Sequence, residues 1–195
     1  MIGAVALAVV CWAFSFGAAW VNFWVKISLS VTLLCLYSFM HQKPKLRFTL
    51  NTVTVGGMAA LVLYGIFCLG NAAAPYILPG AGGQVGEIYA LGTGTNGAVL
   101  FLLLLLITGP GEEIFWRGFL QERMMHRFGD ARGYAVTTAL YGGVHLFSMN
   151  VILVTAAVLA GAFWGGLYLW KRDLAPVIVS HALRSAFAFV IFPIY

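Results

Sequence analysis

Two adjacent glutamates near the middle of the chain are the residues most able to do chemistry. They lie in the segment GPGEEIFWRGFLQER, directly after the apolar run VLFLLLLLIT. Glu113 and Arg117 are four positions apart, in the order that favours an ion pair on a helix. Glu112 lies about 100° around the helix and has Trp116, not a cation, four positions later. We therefore predict that Glu112 is a general base or acid and that Glu113 and Arg117 support it.

Two histidines in apolar stretches extend this candidate site. His145 lies in ALYGGVHLFS and His181 in PVIVSHALRSAF, each beside small residues that leave room for the ring. Taken alone, the charged segment also fits an ion-pair network that anchors a membrane span, and each histidine fits a satisfied core residue. Together with an unpaired glutamate they predict a polar cavity inside the fold. A carboxylate and imidazoles can deprotonate and orient water, so the predicted reaction is hydrolysis of an amide bond presented from the membrane.

The same glutamate and histidines also match the donor types that bind zinc. The chain has no H-E-x-x-H motif, and the two carboxylates share one helix while the histidines come from separate ones. We therefore favour a site without a metal or other cofactor and keep zinc as the alternative. Cys11, Cys35 and Cys68 lie in apolar runs without a C-x-x-C pair and predict neither a disulfide nor a metal framework.

The composition places these residues in a membrane protein. The 195 residues are 62% hydrophobic and 9% charged, whereas a soluble domain carries about 25% charged residues. We interpret the net charge of +5 as loop asymmetry, because no Lys/Arg-rich block interleaved with aromatics predicts nucleic-acid binding. The start MIGAVALAVVCWAF predicts a first span and not a removed signal peptide. We predict one integral membrane domain, 1–195, with N-terminal spans in 1–71 and the motif-bearing helices in 97–195.

The apolar segments predict an all-α transmembrane bundle. A membrane helix needs roughly 20 apolar residues, and about seven segments meet or approach that length, with six to eight as the range. The predicted spans are 2–22, 24–40, 52–71, 97–118, 132–148, 151–170 and 174–194. The active-site cavity is expected among the C-terminal spans, the fourth, fifth and seventh.

Four details of the chain are further expectations. The triplet Gly109-Pro110-Gly111 predicts that the fourth span kinks or restarts there. The Gly-rich stretch 71–96 predicts an extracytoplasmic loop or a shallow re-entrant segment, with Glu87 solvated. Residues 119–128 predict a helix lying along the cytoplasmic interface. Gly161 and Gly165 form a GxxxG spacing that lets helices approach closely.

Basic residues define the predicted orientation. They fall in the connections between spans two and three, four and five, and six and seven, which share one side, while the opposite connections hold a single lysine, Lys26. The residues on the basic side are Lys43, Lys45, Arg47, Arg123, Arg127, Arg132, Lys171 and Arg172. By the positive-inside rule that side and the N-terminus are cytoplasmic, and we predict a bacterial inner membrane.

One depth estimate conflicts with these spans. Measured from the predicted cytoplasmic boundaries, Glu112 and His181 lie about 10–12 Å deep, but His145 lies nearer about 20 Å. Either the fifth span begins below the membrane surface or the boundaries are displaced by a turn.

The motif residues resemble the signature of the CPBP (ABI) family, which contains type II CAAX prenyl proteases and bacteriocin-processing or immunity proteins. The resemblance covers roughly residues 109–185. It consists of Glu112-Glu113-x-x-x-Arg117, a G-x-x-H at Gly142 to His145, and His181 in a C-terminal span. The form EEIFWRGFL also resembles the glutamic-type proteases of bacterial C-terminal sorting systems.

The resemblance implies a polytopic intramembrane endopeptidase of the glutamic type. In such an enzyme Glu112 would activate water together with His145. Glu113 and Arg117 would organise the site, and His181 would help to form the oxyanion hole.

The chain departs from the family pattern at two places. Tyr141 stands where many members carry Phe, and Ser185, preceded by Arg184, stands where many carry Asn or Asp. Serine still donates a hydrogen bond, but it is shorter. The alternatives for Arg184 are that it donates to the oxyanion itself or that it meets a substrate carboxylate.

Three functions are consistent with this pattern. The first is a protease that cuts a membrane-anchored protein or peptide near its C-terminus or within a leader. The second is a non-catalytic immunity or partner-binding membrane protein on the same scaffold. The third is a proton-relay transporter, which predicts paired broken helices or an internal repeat, and the sequence contains one such break. The expected surroundings are the lipid bilayer and no nucleic acid, and the oligomeric state stays open.

Overall fold

The computed structural model describes residues 1–17, 21–44 and 46–195, and this part of the chain contains eight helices and no strand. The predicted all-α fold is confirmed. The helices are α1 (Ile2–Gly17), α2 (Phe23–His41), α3 (Leu50–Ile77), α4 (Ala81–Ala90), α5 (Gly97–Phe128), α6 (Asp130–Val144), α7 (Val151–Lys171) and α8 (Ala175–Ile191).

Seven of the eight helices lie at the predicted spans, and α4 is the additional one. Within the described ranges, α2, α3, α5 and α7 are long and apolar enough to cross a membrane, while α1 and α8 are apolar but shorter. α6 corresponds to the remaining predicted span. Residues 18–20, the end of the first predicted span, and Lys45 of the basic connections lie outside the described residues. Lys26 lies near the start of α2, within the predicted second span, and is buried.

Polar side chains begin several of these helices. Asn22, Asn96 and Asn150 each accept hydrogen bonds from the first backbone N–H groups of the helix that follows. Thr49 and Thr52 form a reciprocal capping box at the start of α3. These caps satisfy donors that have no partner within the helix, which matters most where water is scarce.

Of the kink or restart predicted at Gly109-Pro110-Gly111, the restart is not found, because α5 continues through the triplet. Leu104–Thr108 forms a π-helical turn, and the Gly109 N–H donates to the Leu104 carbonyl, five residues back. The wider turn relieves the clash that the Pro110 ring would cause with a regular helical carbonyl. A second π-helical segment, Trp116–Gln121, follows the two glutamates.

The expected interface helix at 119–128 is the end of α5, and its first half is packed inside the protein. Phe119, Leu120, Gln121 and Met124 are buried, whereas residues 126–128 are exposed. The depth conflict then disappears, because the chain reverses at Gly129, whose φ is 83°. Counted from that turn at 1.5 Å per residue, Glu112 lies about 24 Å along α5 and His145 about 22 Å along α6.

The predicted loop at 71–96 is mostly helical. α3 extends to Ile77 with Pro75 inside its last turn, and α4 follows at Ala81–Ala90. The prediction of a loop rested on the Gly and Pro residues of this stretch. In apolar surroundings a helix is favoured nevertheless, because it satisfies its own backbone N–H and C=O groups. Glu87 is exposed, as expected, and accepts a hydrogen bond of 2.9 Å from Asn150 Nδ2.

The close contact of α5 with α8 positions the site. α8 packs against both α3 and α5, α2 packs on α5, and α6 lies between α7 and the end of α5. A Cβ on Gly109 would lie 2.8 Å from the Ala182 Cα, so only glycine allows this approach. The contact brings the motif helix α5 beside the segment of α8 that carries His181.

Candidate active site

Glu113 and Arg117 form the ion pair that their spacing predicts. Arg117 Nη1 donates to Glu113 Oε1 over 2.8 Å, and both side chains are almost completely buried. Arg117 Nη2 also donates to the Gly161 carbonyl of α7 over 3.1 Å. The arginine therefore links the motif helix to α7 as well as neutralising Glu113.

His181 joins this pair from α8. Its Nδ1 lies 2.6 Å from Glu113 Oε1, and its ring stacks on Trp164 with 3.7 Å between centroids. This short contact holds one proton between Nδ1 and Oε1. The ring is thereby fixed with Nε2 left for other partners. We call Glu113, Arg117 and His181 the ion cluster.

Gly161 makes room for the ion cluster. A Cβ at this position would lie 2.9 Å from the Tyr141 ring and 3.7 Å from Arg117 Nη2. Four residues later the Gly165 carbonyl accepts from Gln121 Nε2 over 2.9 Å. The predicted GxxxG approach is present, and its carbonyls also accept hydrogen bonds, a role that the sequence reasoning missed.

Glu112 faces a different set of groups. The Tyr141 hydroxyl donates to Glu112 Oε2 over 2.8 Å. His145, in the 3₁₀ turn after α6, donates from Nδ1 to the Tyr141 carbonyl over 2.7 Å. That contact leaves the lone pair on Nε2, which accepts a long hydrogen bond of 3.4 Å from Trp12 Nε1. We call Glu112, Tyr141 and His145 the cavity cluster.

A cavity of about 580 Å³ brings the predicted site residues together. Its walls are mostly apolar and include side chains from α1, α2, α3, α4 and α7 besides the C-terminal helices. The polar side chains of the candidate site that line the cavity are Glu112, Tyr141, His145, His181, Arg184 and Ser185. Glu113 does not line the cavity, so the two adjacent carboxylates have separate surroundings.

Ser185 and Arg184 lie one turn beyond His181 on α8. Ser185 is buried and lines the cavity. Arg184 is half-buried, with its guanidinium carbon 3.8 Å from the centroid of the Phe67 ring. Both predicted supporting residues therefore lie in the cavity wall.

Several site contacts could not be predicted from single motifs. Tyr141 was noted as a departure from Phe, and its position four residues before His145 is the signal that could have placed its hydroxyl in the site. Trp12 on α1 and Trp164 on α7 contact the two histidines, and no local spacing relates them to the motif.

Over the described ranges, no group of three or more His, Cys, Asp and Glu side chains is arranged to hold a metal ion. Glu112 and His145 instead contact Tyr141, and Glu113 and His181 contact each other.

Comparison with known proteins assigns the motif region to a family. Residues 94–187 match the family described as Type II CAAX prenyl endopeptidase Rce1-like. No curated protein and no solved structure matches the chain significantly. At the level of the family the match indicates a CAAX-type intramembrane endopeptidase, a peptide hydrolase, and the apolar helices agree with an integral membrane protein. The resemblance predicted from the motifs is thus confirmed, and residues 94–187 relate this chain to the Rce1-like type II CAAX prenyl endopeptidases.

Proposed function

We propose that this protein hydrolyses a peptide bond of a membrane-associated substrate with water activated by Glu112 and His145. The substrate is a membrane-anchored protein or peptide, cut at a CAAX-like terminus, a leader or a C-terminal sorting tail. One observation carries the proposal: Glu112, His145 and His181 line one cavity, and Glu112 has no cationic partner in the described part of the chain.

The first step is attack by water. A water molecule that donates one hydrogen bond to Glu112 and one to His145 Nε2, in place of the long contact from Trp12 Nε1, is held with a lone pair free. Glu112 accepts a proton as the oxygen adds to the substrate carbonyl carbon. The Nδ1 contact of His145 with the Tyr141 carbonyl supports this role, because it leaves Nε2 as an acceptor.

The second step is collapse of the tetrahedral intermediate. His181 helps to form the oxyanion hole through its Nε2–H, with Glu113 behind the ring at Nδ1. Ser185, one turn further along the cavity wall, supplies an additional hydroxyl donor. The carbon–nitrogen bond breaks, Glu112 returns its proton to the leaving amine, and a new carboxylate and a new amine are released.

Glu113 and Arg117 have a positioning role in this proposal. They fix the His181 ring and link α5 to α7 and α8. The mechanism needs no cofactor. The alternative is zinc: stoichiometric zinc in the purified protein, with cleavage lost on chelation and restored by zinc, would overturn the metal-free mechanism.

The proposed location and orientation of the protein rest on its basic residues. We propose an integral protein of a bacterial inner membrane, with a single membrane domain over 1–195 and a cytoplasmic N-terminus. The basic connections on one side support this orientation. Reporter fusions placed at the N-terminus and in the connections test it directly.

The function is tested by mapping membrane-protein termini in cells. Cells that lack the protein receive wild type, Glu112→Gln or an empty vector, and termini are compared by mass spectrometry. We expect new C-termini or N-termini with wild type alone, and their sequences would separate CAAX-like ends, leaders and sorting tails. Identical termini in all three, with Glu112→Gln still complementing a deletion phenotype, would favour a binding or immunity role.

A further inference from the structure

Arg184 is a cation in the cavity wall without an anionic partner. Among the described residues no carboxylate forms an ion pair with it, and its Nε is buried without a hydrogen-bond partner. Its guanidinium carbon lies 3.8 Å from the centroid of the Phe67 ring. The guanidinium therefore retains unused donors inside a mostly apolar cavity.

Arg117, by contrast, is an arginine whose guanidinium has hydrogen-bond partners within the protein. Arg117 donates to Glu113 and to the Gly161 carbonyl, and it is fully buried. A charged side chain within a span persists when it is paired, faces a cavity or has a function. Among the described residues, Arg117 is paired with a carboxylate, whereas Arg184 faces the cavity without such a partner.

The ligand that suits these donors is a carboxylate. A guanidinium presents a planar fork that binds a carboxylate through two parallel hydrogen bonds, most strongly where water is excluded. A peptide substrate supplies this group at its C-terminus. The apolar cavity walls suit the aliphatic residues that would connect that terminus to the reacting bond.

The position of Arg184 relates this carboxylate to the candidate chemistry. Arg184 lies three residues after His181, about 4.5 Å further along α8, and both line the cavity. An extended peptide advances about 3.3–3.6 Å per residue. A carboxylate held here therefore leaves only a few residues between the C-terminus and a peptide bond beside His181.

We propose that Arg184 binds the free C-terminal carboxylate of the substrate and so restricts cleavage to bonds a few residues from a C-terminus. This inference rests on the proposed function. It assigns Arg184 to substrate recognition and not to the oxyanion, and it selects C-terminal ends over internal leader sites as substrates.

The test measures binding separately from cleavage. The probes are fluorescent peptides in which three aliphatic residues follow S-farnesylcysteine, made as the free acid and as the C-terminal carboxamide. Binding is measured by fluorescence anisotropy in nanodiscs with Glu112→Gln, and with Glu112→Gln carrying Arg184→Gln or Arg184→Lys. We expect the acid to bind about tenfold to hundredfold more tightly than the amide, with the preference lost in Arg184→Gln and partly kept in Arg184→Lys.

Each outcome of this test decides the inference. Equal binding of acid and amide, including binding too weak to detect for both, overturns it. A preference for the acid that survives Arg184→Gln also overturns it, because another group would then recognise the carboxylate. Arg184→Gln weakening both probes equally, while Arg184→Lys restores both, indicates a structural role in place of recognition.

Cleavage by the wild type separates this inference from the proposed function. If acid is preferred through Arg184 but neither wild type nor Glu112→Gln cuts, carboxylate binding stands and the protease proposal fails. If wild type cuts acid and amide at equal rates and Glu112→Gln does not, the protease proposal stands and the role of Arg184 fails.

Discussion

The two polar clusters on α5 differ although their glutamates are neighbours in the chain. In the ion cluster, Glu113 is fully buried and contacts Arg117 and His181 through one oxygen. In the cavity cluster, Glu112 is only partly buried, is bound by the neutral Tyr141 hydroxyl and lines the cavity. The paired Glu113 and Arg117 lie outside the cavity, and of the ion cluster His181 alone lines it, whereas Glu112, Tyr141 and His145 all line the cavity.

This difference shows that two adjacent carboxylates in one helical turn can have different surroundings and different roles. The 100° step between consecutive residues turns one carboxylate towards α7 and α8 and the other towards the cavity. A charge that is paired inside the fold contributes to structure, and an unpaired one beside a cavity is available to exchange a proton. The comparison predicts that equal substitutions at the two positions have unequal effects.

The largest expected effect on stability is that of Glu113→Gln. This change leaves the buried Arg117 without its counter-charge, which lowers the free energy of unfolding by about 3–5 kcal/mol. Denaturation in detergent followed by tryptophan fluorescence measures the change, and Glu112→Gln is the matched control, expected to stay within about 1 kcal/mol of wild type. Equal losses for the two variants would remove the distinction between the clusters.

An intermediate effect on stability is expected for Gly161→Ala, a substitution in α7 beside both clusters. In Gly161→Ala the new Cβ would lie 2.9 Å from the Tyr141 ring, and we expect stability to fall by about 1–3 kcal/mol because the packed ring must shift. Gly166→Ala on the same helix is the control, since a Cβ there meets nothing within 4 Å. If both variants unfold at the same denaturant concentration, the close approach of α7 does not matter for stability.

The smallest effect is expected for Tyr141→Phe, which sharpens the description of the cavity cluster. The change removes the hydroxyl that donates to Glu112 over 2.8 Å and leaves the ring. We expect the rate of cleavage to fall about tenfold, equivalent to about 1.4 kcal/mol, because Glu112 keeps its place in the cavity. A loss as large as that caused by removing the Glu112 carboxylate would mean that the hydroxyl itself takes part in proton transfer.

The sequence predicted the features that depend on local spacing and composition. The apolar segments located the seven larger helices, and the separation of Glu113 and Arg117 predicted their contact, found at 2.8 Å. The family resemblance also followed from the motifs and is confirmed over 94–187. The contact of Glu113 with Arg117 could be predicted because the geometry of a helix fixes which side chains are neighbours.

The features that could not be predicted depend on contacts between distant segments. Gly and Pro at 109–111 predicted a kink or a restart, and the π-helical turn that precedes them in a continuous α5 was not predicted. Trp12 reaches His145 from the first helix, and no periodicity relates two residues so far apart in the chain. Close packing of α5 on α8 at Gly109 likewise depends on which helices become neighbours, which the motif does not encode.

The central claim is that the hydrolytic chemistry belongs to the cavity cluster. It is tested most directly by the rate at which purified wild type and Glu112→Gln cleave the substrate identified from the mapped termini, with unfolding measured on the same samples. We predict that the variant loses about 100-fold to 10,000-fold in rate while its free energy of unfolding stays within about 1 kcal/mol of wild type. A folded Glu112→Gln variant that keeps more than about a tenth of the wild-type rate would contradict the account, because loss of an essential general base cannot be so small.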